Sequence, residues 1–203
     1  MPMHIIRGEN AMPQIFDEEG REKVRITLLE SGFELIKTHG LKKTSISDIT
    51  KSAGIATGTF YNFFDSKEDF VYQIMLYKRN QSKTLLSQMS KKGKIDKKNF
   101  KEYLITIYTS DYNVFEYLSE SEIDRLKSRW PEEYWKNAGN EEATIKTMVA
   151  MLKSPRENLD WQILGNLFKS MALIGHGRDR LYTDKYKETV EIFVNAIVRF
   201  VFG

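Results

Sequence analysis

Proline is almost absent from the middle of this chain. Only Pro2, Pro13, Pro131 and Pro155 occur in 203 residues, and the stretch from Pro13 to Pro131 has none. Proline inside a helix removes a backbone donor and clashes with the preceding turn, so its absence suits a run of helices joined by short turns. No alternating apolar–polar stretch of strand type competes with that reading. Apolar residues recur instead at helical spacing, as in Ile26, Leu29, Phe33 and Ile36. The expected fold class is all-α.

The helix ends are marked. Asp17, Glu18, Glu19 and Glu22 suit the positive end of a helix dipole, and Gly40 suits its stop. Ser45 with Asp48, and Ser66 with Asp69, have capping-box spacing. They predict a short helix over 45–53 and a long one over 66–89, with a second short helix from Ala56 or Thr57 to Phe63 between them. The run Ser-Lys-Lys-Gly-Lys-Ile-Asp-Lys-Lys-Asn, residues 90–99, is the best domain boundary. Beyond it, helices are predicted near 97–110, 113–128, 131–138, 141–153, 157–177 and 184–202. Residues 1–16 read as a flexible extension; a minor-groove arm through Arg7 is a weak reading of it.

Composition removes several function classes. There is no cysteine, so disulfides, thiol nucleophiles and cysteine metal sites are excluded. The three histidines, His4, His39 and His176, are far apart. They give no metal constellation, and no cofactor is expected. No run of about 18 apolar residues suggests a membrane span, and the first 20 residues lack an apolar signal core. A cytoplasmic protein with no membrane partner is expected. Net charge is only +3, but residues 78–101 hold nine Lys/Arg against Asp96 alone. That run is either a footprint for a polyanion or a solvated face.

Two short helices across a tight glycine turn, behind a longer supporting helix, describe a helix-turn-helix. Ile46, Ile49, Ala53, Ile55 and Phe60 can face inward. Thr57, Gly58, Thr59, Tyr61 and Asn62 then remain outward, small and uncharged, ringed by Lys37, Lys42, Lys43, Lys51 and Lys67. A major groove admits such a helix, and lysines neutralise phosphates. A generic helical hairpin with solvated lysines fits the same topology.

The ordered run Gly-Leu-Lys-Lys-Thr-Ser-Ile-Ser-Asp-Ile-Thr-Lys-Ser-Ala-Gly-Ile-Ala-Thr-Gly-Thr-Phe-Tyr-Asn-Phe-Phe-Asp-Ser-Lys-Glu-Asp-Phe, residues 40–70, is more specific. From Arg25 to about Val71 the chain resembles the DNA-binding domain of TetR-family transcriptional regulators, over about a quarter of its length. The resemblance implies a DNA face at Thr57, Gly58 and Thr59, with base reading by Thr59 and Asn62. It implies phosphate contacts from Tyr61, from Lys67 at a helix N-terminus, and from Ser45 or Thr44. Two positions depart from the family pattern. Ala56 stands where serine is common, which removes an N-cap unless Thr57 serves, and Phe63 stands where His or Tyr is common and cannot donate to a phosphate.

The second half carries different signals. Residues 100–135 hold nine aromatics in 36 positions, Trp135 among them, which is twice the chain's average density. They predict a cavity for an apolar or aromatic ligand lined by Tyr103, Tyr108, Tyr112, Phe115, Trp130 and Tyr134, with Met148, Trp161, Phe168 and Met171 as the far wall. Core packing accounts for any single ring equally well. Glu116 and Glu120 are candidate partners for a cationic ligand. The last two helices are apolar nearly all round, which predicts self-association through Leu164, Gly165, Phe193, Ile197 and Phe200.

The expected architecture is therefore a three-helix helix-turn-helix domain at 17–65, a connecting helix at 66–89, and a helical ligand-binding and dimerisation domain at 90–203. The expected function is a homodimeric repressor, released from palindromic double-stranded DNA by a small apolar or aromatic effector. A DNA-binding regulator with a protein partner in the effector's place is the alternative. A non-specific DNA binder predicts no sequence preference. An enzyme has no phosphate loop, nucleophile elbow or histidine constellation to support it.

Overall fold

A computed structural model describes residues 17–90, 93–132, 134 and 141–203, with residues 115, 141 and 179 described by backbone only. The extension with Arg7, and Trp135 in the aromatic region, lie outside the described residues. Among those residues there are nine α-helices and no β-strand. They are α1 (Glu18–His39), α2 (Ile46–Ser52), α3 (Thr57–Phe60), α4 (Lys67–Ser90), α5 (Lys97–Thr109), α6 (Glu120–Arg129), α7 (Glu141–Ala150), α8 (Trp161–His176) and α9 (Tyr186–Phe202). The fold is all-α.

Local chemistry sets the ends. The Asp17 carboxylate accepts from the Gly20 N–H and starts α1. Ser45 and Asp48 form a reciprocal capping box at α2. A second such box, Ser119 with Glu122, starts α6 and breaks the single helix expected over 113–128. What precedes it is a 3-10 turn, Val114–Tyr117. Asp160 caps α8 through the N–H groups of Gln162 and Ile163, which moves its start four residues beyond the expected one.

Two apolar cores follow. In the first, α1 buries Leu28, Leu29, Phe33 and Ile36 against Ile49 of α2, Phe60 of α3 and Phe70 and Ile74 of α4. Phe60, Phe64 and Phe70 form a tight ring cluster, with Phe64 edge-on to Phe70 at 4.8 Å between centroids. Gly32 makes room for it: a Cβ there would stand 2.3 Å from Phe70 Cζ. Gly54, at φ +69°, makes the tight turn between α2 and α3, a conformation that glycine adopts without a Cβ penalty.

The second core packs α5 against α9, with α7, α8 and the far end of α4 around them. Phe100, Leu104, Leu164, Val190, Val194, Ile197 and Val201 are buried within it. An isolated bridge pairs Ile95 with Leu152 and ties the chain after α4 to the chain after α7.

The two cores meet through α4 and the 114–134 segment. Val114, Leu118, Leu126 and Trp130 belong to the first core although they lie beyond α4 in sequence. Polar contacts fasten the same junction. Glu68 accepts from Arg129 at 2.6 Å and faces Arg125 at 3.7 Å, and the Glu122 carboxylate accepts from the Lys42 backbone N–H at 2.7 Å.

Candidate nucleic-acid interface and effector cavity

The short helix α3 stands on the surface. Thr57, Gly58, Tyr61 and Asn62 are exposed, Thr59 is half-buried, and Phe60 alone is anchored in the core. Nothing lies within 4 Å of the place a Gly58 Cβ would take, so another molecule's backbone can approach closely there. The regular helix ends at Phe60, three residues short of the expected end. Asn62 and Phe63 continue it with i→i+3 bonds to Thr59 and Phe60. Its N-cap, Ala56, makes no side-chain cap bond. Thr57 does not substitute, because its hydroxyl meets Thr50 Oγ1 at 3.1 Å and ties α3 to α2.

Tyr61 is 59% exposed with its ring edge-on to Phe60, a placement that leaves its hydroxyl outward. Arg21 of α1, not singled out in the sequence, reaches across to the Asn62 carbonyl at 3.0 Å. Its guanidinium lies 5.2 Å from the centre of the Phe63 ring. An arginine early in α1 carries no sequence signal of this role, since only the fold brings it to α3. Lys42, Lys43 and Lys51 are exposed on the same domain.

Several expected phosphate contacts need correction. Thr44 is only 2% exposed, and its hydroxyl donates to the Gly40 carbonyl at 2.9 Å. Ser45 is exposed, but its hydroxyl is committed to Asp48 in the capping box. Those bonds hold the Asp48 carboxyl below its ordinary value, so a negative charge sits where a phosphate was expected. Lys37 is drawn away by Asp111 and Glu34. The Lys67 ammonium is half-buried and donates to the Leu41 carbonyl at 2.6 Å; burial lowers its pKa. It faces a cleft of about 500 Å³ between α4 and α6, shared with Lys42, Glu122 and Arg125.

The aromatic region divides. Trp130 and Tyr134 pack against the first core: Tyr134 stacks on Tyr72 at 3.7 Å and Trp130 meets the same ring edge-on. The Trp130 indole N–H donates to the Glu68 carbonyl at 2.8 Å. Both residues therefore close the first core. Tyr108 takes a hydrogen bond on its backbone carbonyl from the Tyr186 hydroxyl, and its own phenol is desolvated, which raises its pKa. Tyr112 is half-buried. Met171 is packed in the second core at 1% exposure, and Trp161 lies under the Lys146 ammonium. The Phe115 side chain is outside the described set.

Tyr103 and Met148 do line a cavity, of about 460 Å³, between α4, α5 and α7. Its α4 wall is Arg79, Ser82, Lys83 and Leu86, and the Tyr103 hydroxyl meets Ser82 Oγ at 3.0 Å. Phe168 lines an adjoining cavity of about 290 Å³, which shares Arg79 and Thr144 with the first. The α4 residues recur at i, i+3, i+4 and i+7, a spacing visible in sequence once the partner helix is known.

Glu116 takes no part in either cavity. It is largely buried beside Gly175, and that burial pushes its carboxyl up to about 7 against the opposing pull of Arg178. Glu120 is exposed. Of the residues expected at a dimer seam, Leu164 and Ile197 are 0% and 1% exposed, because both point into the α5–α9 core. Phe193 is exposed, and Gly165 and Phe200 are half-buried. Near them α8 and α9 leave Ile163, Leu173 and Ile192 uncovered, at 47%, 70% and 69% exposure.

A supported short helix with an uncharged outward face, a glycine turn behind it and two long bracing helices define a helix-turn-helix domain. Residues 28–74 match the family model described as bacterial regulatory proteins, tetR family. The chain is similar to the HTH-type transcriptional repressor KstR2 of Rhodococcus jostii strain RHA1, 38% identical over 63 residues, 31% of each chain. It is also similar to the uncharacterized HTH-type transcriptional regulator YvdT of Bacillus subtilis strain 168, 50% identical over 44 residues, 22% of this chain and 23% of that one. These matches span less than a third of the relatives' own length. A solved tetR-family regulator of Mesorhizobium loti has the same fold, with a TM-score of 0.61 at 14% identity over 90% of this chain and 98% of that one. No described helix is long and apolar enough to cross a membrane.

Proposed function

We propose that this chain is a DNA-binding transcriptional regulator: a homodimeric repressor that leaves a palindromic operator when a small ligand occupies the cavity between α4, α5 and α7. The observation that carries the reading is α3, an exposed, uncharged, hydrogen-bonding face on a tetR-family domain. Thr57, Gly58, Thr59 and Asn62 meet base edges. Tyr61, Arg21 and the exposed lysines hold phosphates. Lys67 joins them if its ammonium leaves the Leu41 carbonyl. The similarity to a transcriptional repressor supports the sign of regulation.

The apolar residues left uncovered on α8 and α9 suit pairing of two copies across a two-fold axis. A pair would place two reading helices in successive major grooves, about 34 Å apart. Residues 17–65 serve as the reading head, 66–89 as the connection and 90–203 as the ligand and pairing domain. A protein partner in place of the small molecule would suit a closed second domain, and the cavity of about 460 Å³ favours a small molecule.

Selection of duplexes from a random library by the purified chain tests the reading. Enrichment of inverted half-sites one helical turn apart is expected, and Thr59→Ala should change the preferred bases. Uniform binding to all duplexes would defeat it. Lys67→Ala should lower the salt slope of binding by about 1 if its ammonium reaches a phosphate.

A further inference from the structure

Helix α6 comes from the second half of the chain, yet its first turn reaches the loop between α1 and α2. One Glu122 oxygen accepts from the Lys42 backbone N–H at 2.7 Å. The other accepts from the Ser119 N–H at 2.9 Å and the Ser119 hydroxyl at 2.8 Å. Capping α6 requires only the bonds to Ser119; the bond to Lys42, 80 residues away in sequence, is additional. Burial alone would raise the pKa of this carboxyl, but the Ser119 and Lys42 bonds and the nearby Lys67 charge take it below its ordinary value, so the group is a carboxylate. It lines the cleft of about 500 Å³ with Lys42, Lys67 and Arg125. The other acid there, Glu68, is engaged by Arg129 and Arg125. Lys42, Ser121 and Arg125 are exposed, so the cleft opens to solvent.

A backbone N–H outside any helix, two ammonium groups and the first residue of a 24-residue helix converge on one place. Those are the groups that hold a phosphate. We infer that Glu122 is an internal phosphate mimic: α6 seats its carboxylate where the DNA backbone would meet Lys42 and Lys67, and so holds the helix-turn-helix in a form of low affinity for DNA. This rests on the proposal that the chain binds DNA through α3 and the cations around it. The Lys42 N–H has one proton to give, and a phosphate beside Glu122 would meet a like charge. Binding of DNA therefore lifts the first turn of α6 from the loop. By linkage, an effector that presses α6 onto the loop weakens DNA binding.

Glu122→Gln removes the charge and keeps the cap, because glutamine serves at that position of a capping box. Fluorescence anisotropy on the full chain, with a labelled random-sequence duplex at low salt, reads the phosphate contacts alone. Glu122→Gln is expected to tighten binding about fivefold. Glu120→Gln, exposed and two residues earlier on the same helix, should change it by about twofold at most. In a Lys67→Ala background most of the gain from Glu122→Gln should vanish. Equal gains from the two α6 variants reduce the effect to distant charge and overturn the inference. Unchanged or weaker binding by Glu122→Gln overturns it as well. Pyrophosphate supplies a readout without DNA: it should raise the thermal midpoint of Glu122→Gln but not that of the wild type, and Lys67→Ala should remove the rise. If pyrophosphate separates the variants while no duplex binds, the internal anion site is supported and the DNA-binding reading fails. If the duplex binds and neither readout responds to Glu122→Gln, the mimic alone fails.

Discussion

Gly32 and Glu116 show how far single atoms decide local structure here. A methyl group at Gly32 would meet the rigid, fully buried ring of Phe70 at 2.3 and 2.5 Å. Gly32→Ala should therefore destabilise the chain by about 1–3 kcal/mol, read as a lower denaturation midpoint with an unchanged slope. Glu116 acts through its proton. Its folded carboxyl stands at about 7, above the ordinary 4.5, because burial disfavours the charge. The folded state keeps that proton over a window in which the unfolded chain has lost it. The contribution to stability is complete below about pH 4.5 and falls as pH rises toward 7. Glu116→Gln should flatten that fall and gain about 2–3 kcal/mol above pH 7, checked by thermal melts across the range. Neither effect was legible in the sequence, since both depend on neighbours brought from other helices.

At the scale of helices, the signals that repeat within a few residues were the legible ones. The capping box at Ser45, the glycine turn and the apolar spacing of α1 all act between near neighbours, and the helix-turn-helix could be placed from them. What eluded the sequence was longer in range. Trp130 and Tyr134 were expected around a ligand and instead pack on Tyr72, some 60 positions earlier. Thr44 carries the right chemistry for a phosphate but is turned onto Gly40. The uncapped start of α3 gives a local test. Ala56 is exposed and already extended, at φ −63° and ψ 138°, so a serine hydroxyl there can accept from the first turn of α3. Ala56→Ser should stabilise the chain by about 1 kcal/mol, seen as a rise in thermal midpoint.

For the whole molecule, the distribution of apolar surface is the informative feature. Leu164 and Ile197 serve the interior, so charging either would unfold the chain rather than separate two copies. Leu173 and Ile192 lie outside it. Leu173→Glu with Ile192→Glu should yield folded monomers by sedimentation and weaken binding to an inverted repeat while half-site binding persists. A dimer that survives this pair of charges would place the seam elsewhere. The number of apolar residues in α8 and α9 was visible in sequence; which of them face outward depended on how α5 covers them.

The continuity of α4 has a mechanical consequence. It runs for 24 residues from beside the helix-turn-helix to the cavity wall and on into the second core, a span of about 36 Å at 1.5 Å per residue. Over such a length a tilt of about 5° at one end displaces the other by about 3 Å. That is close to the diameter of a water molecule, and in the proposed complex it is enough to take the Thr59 hydroxyl out of reach of a base.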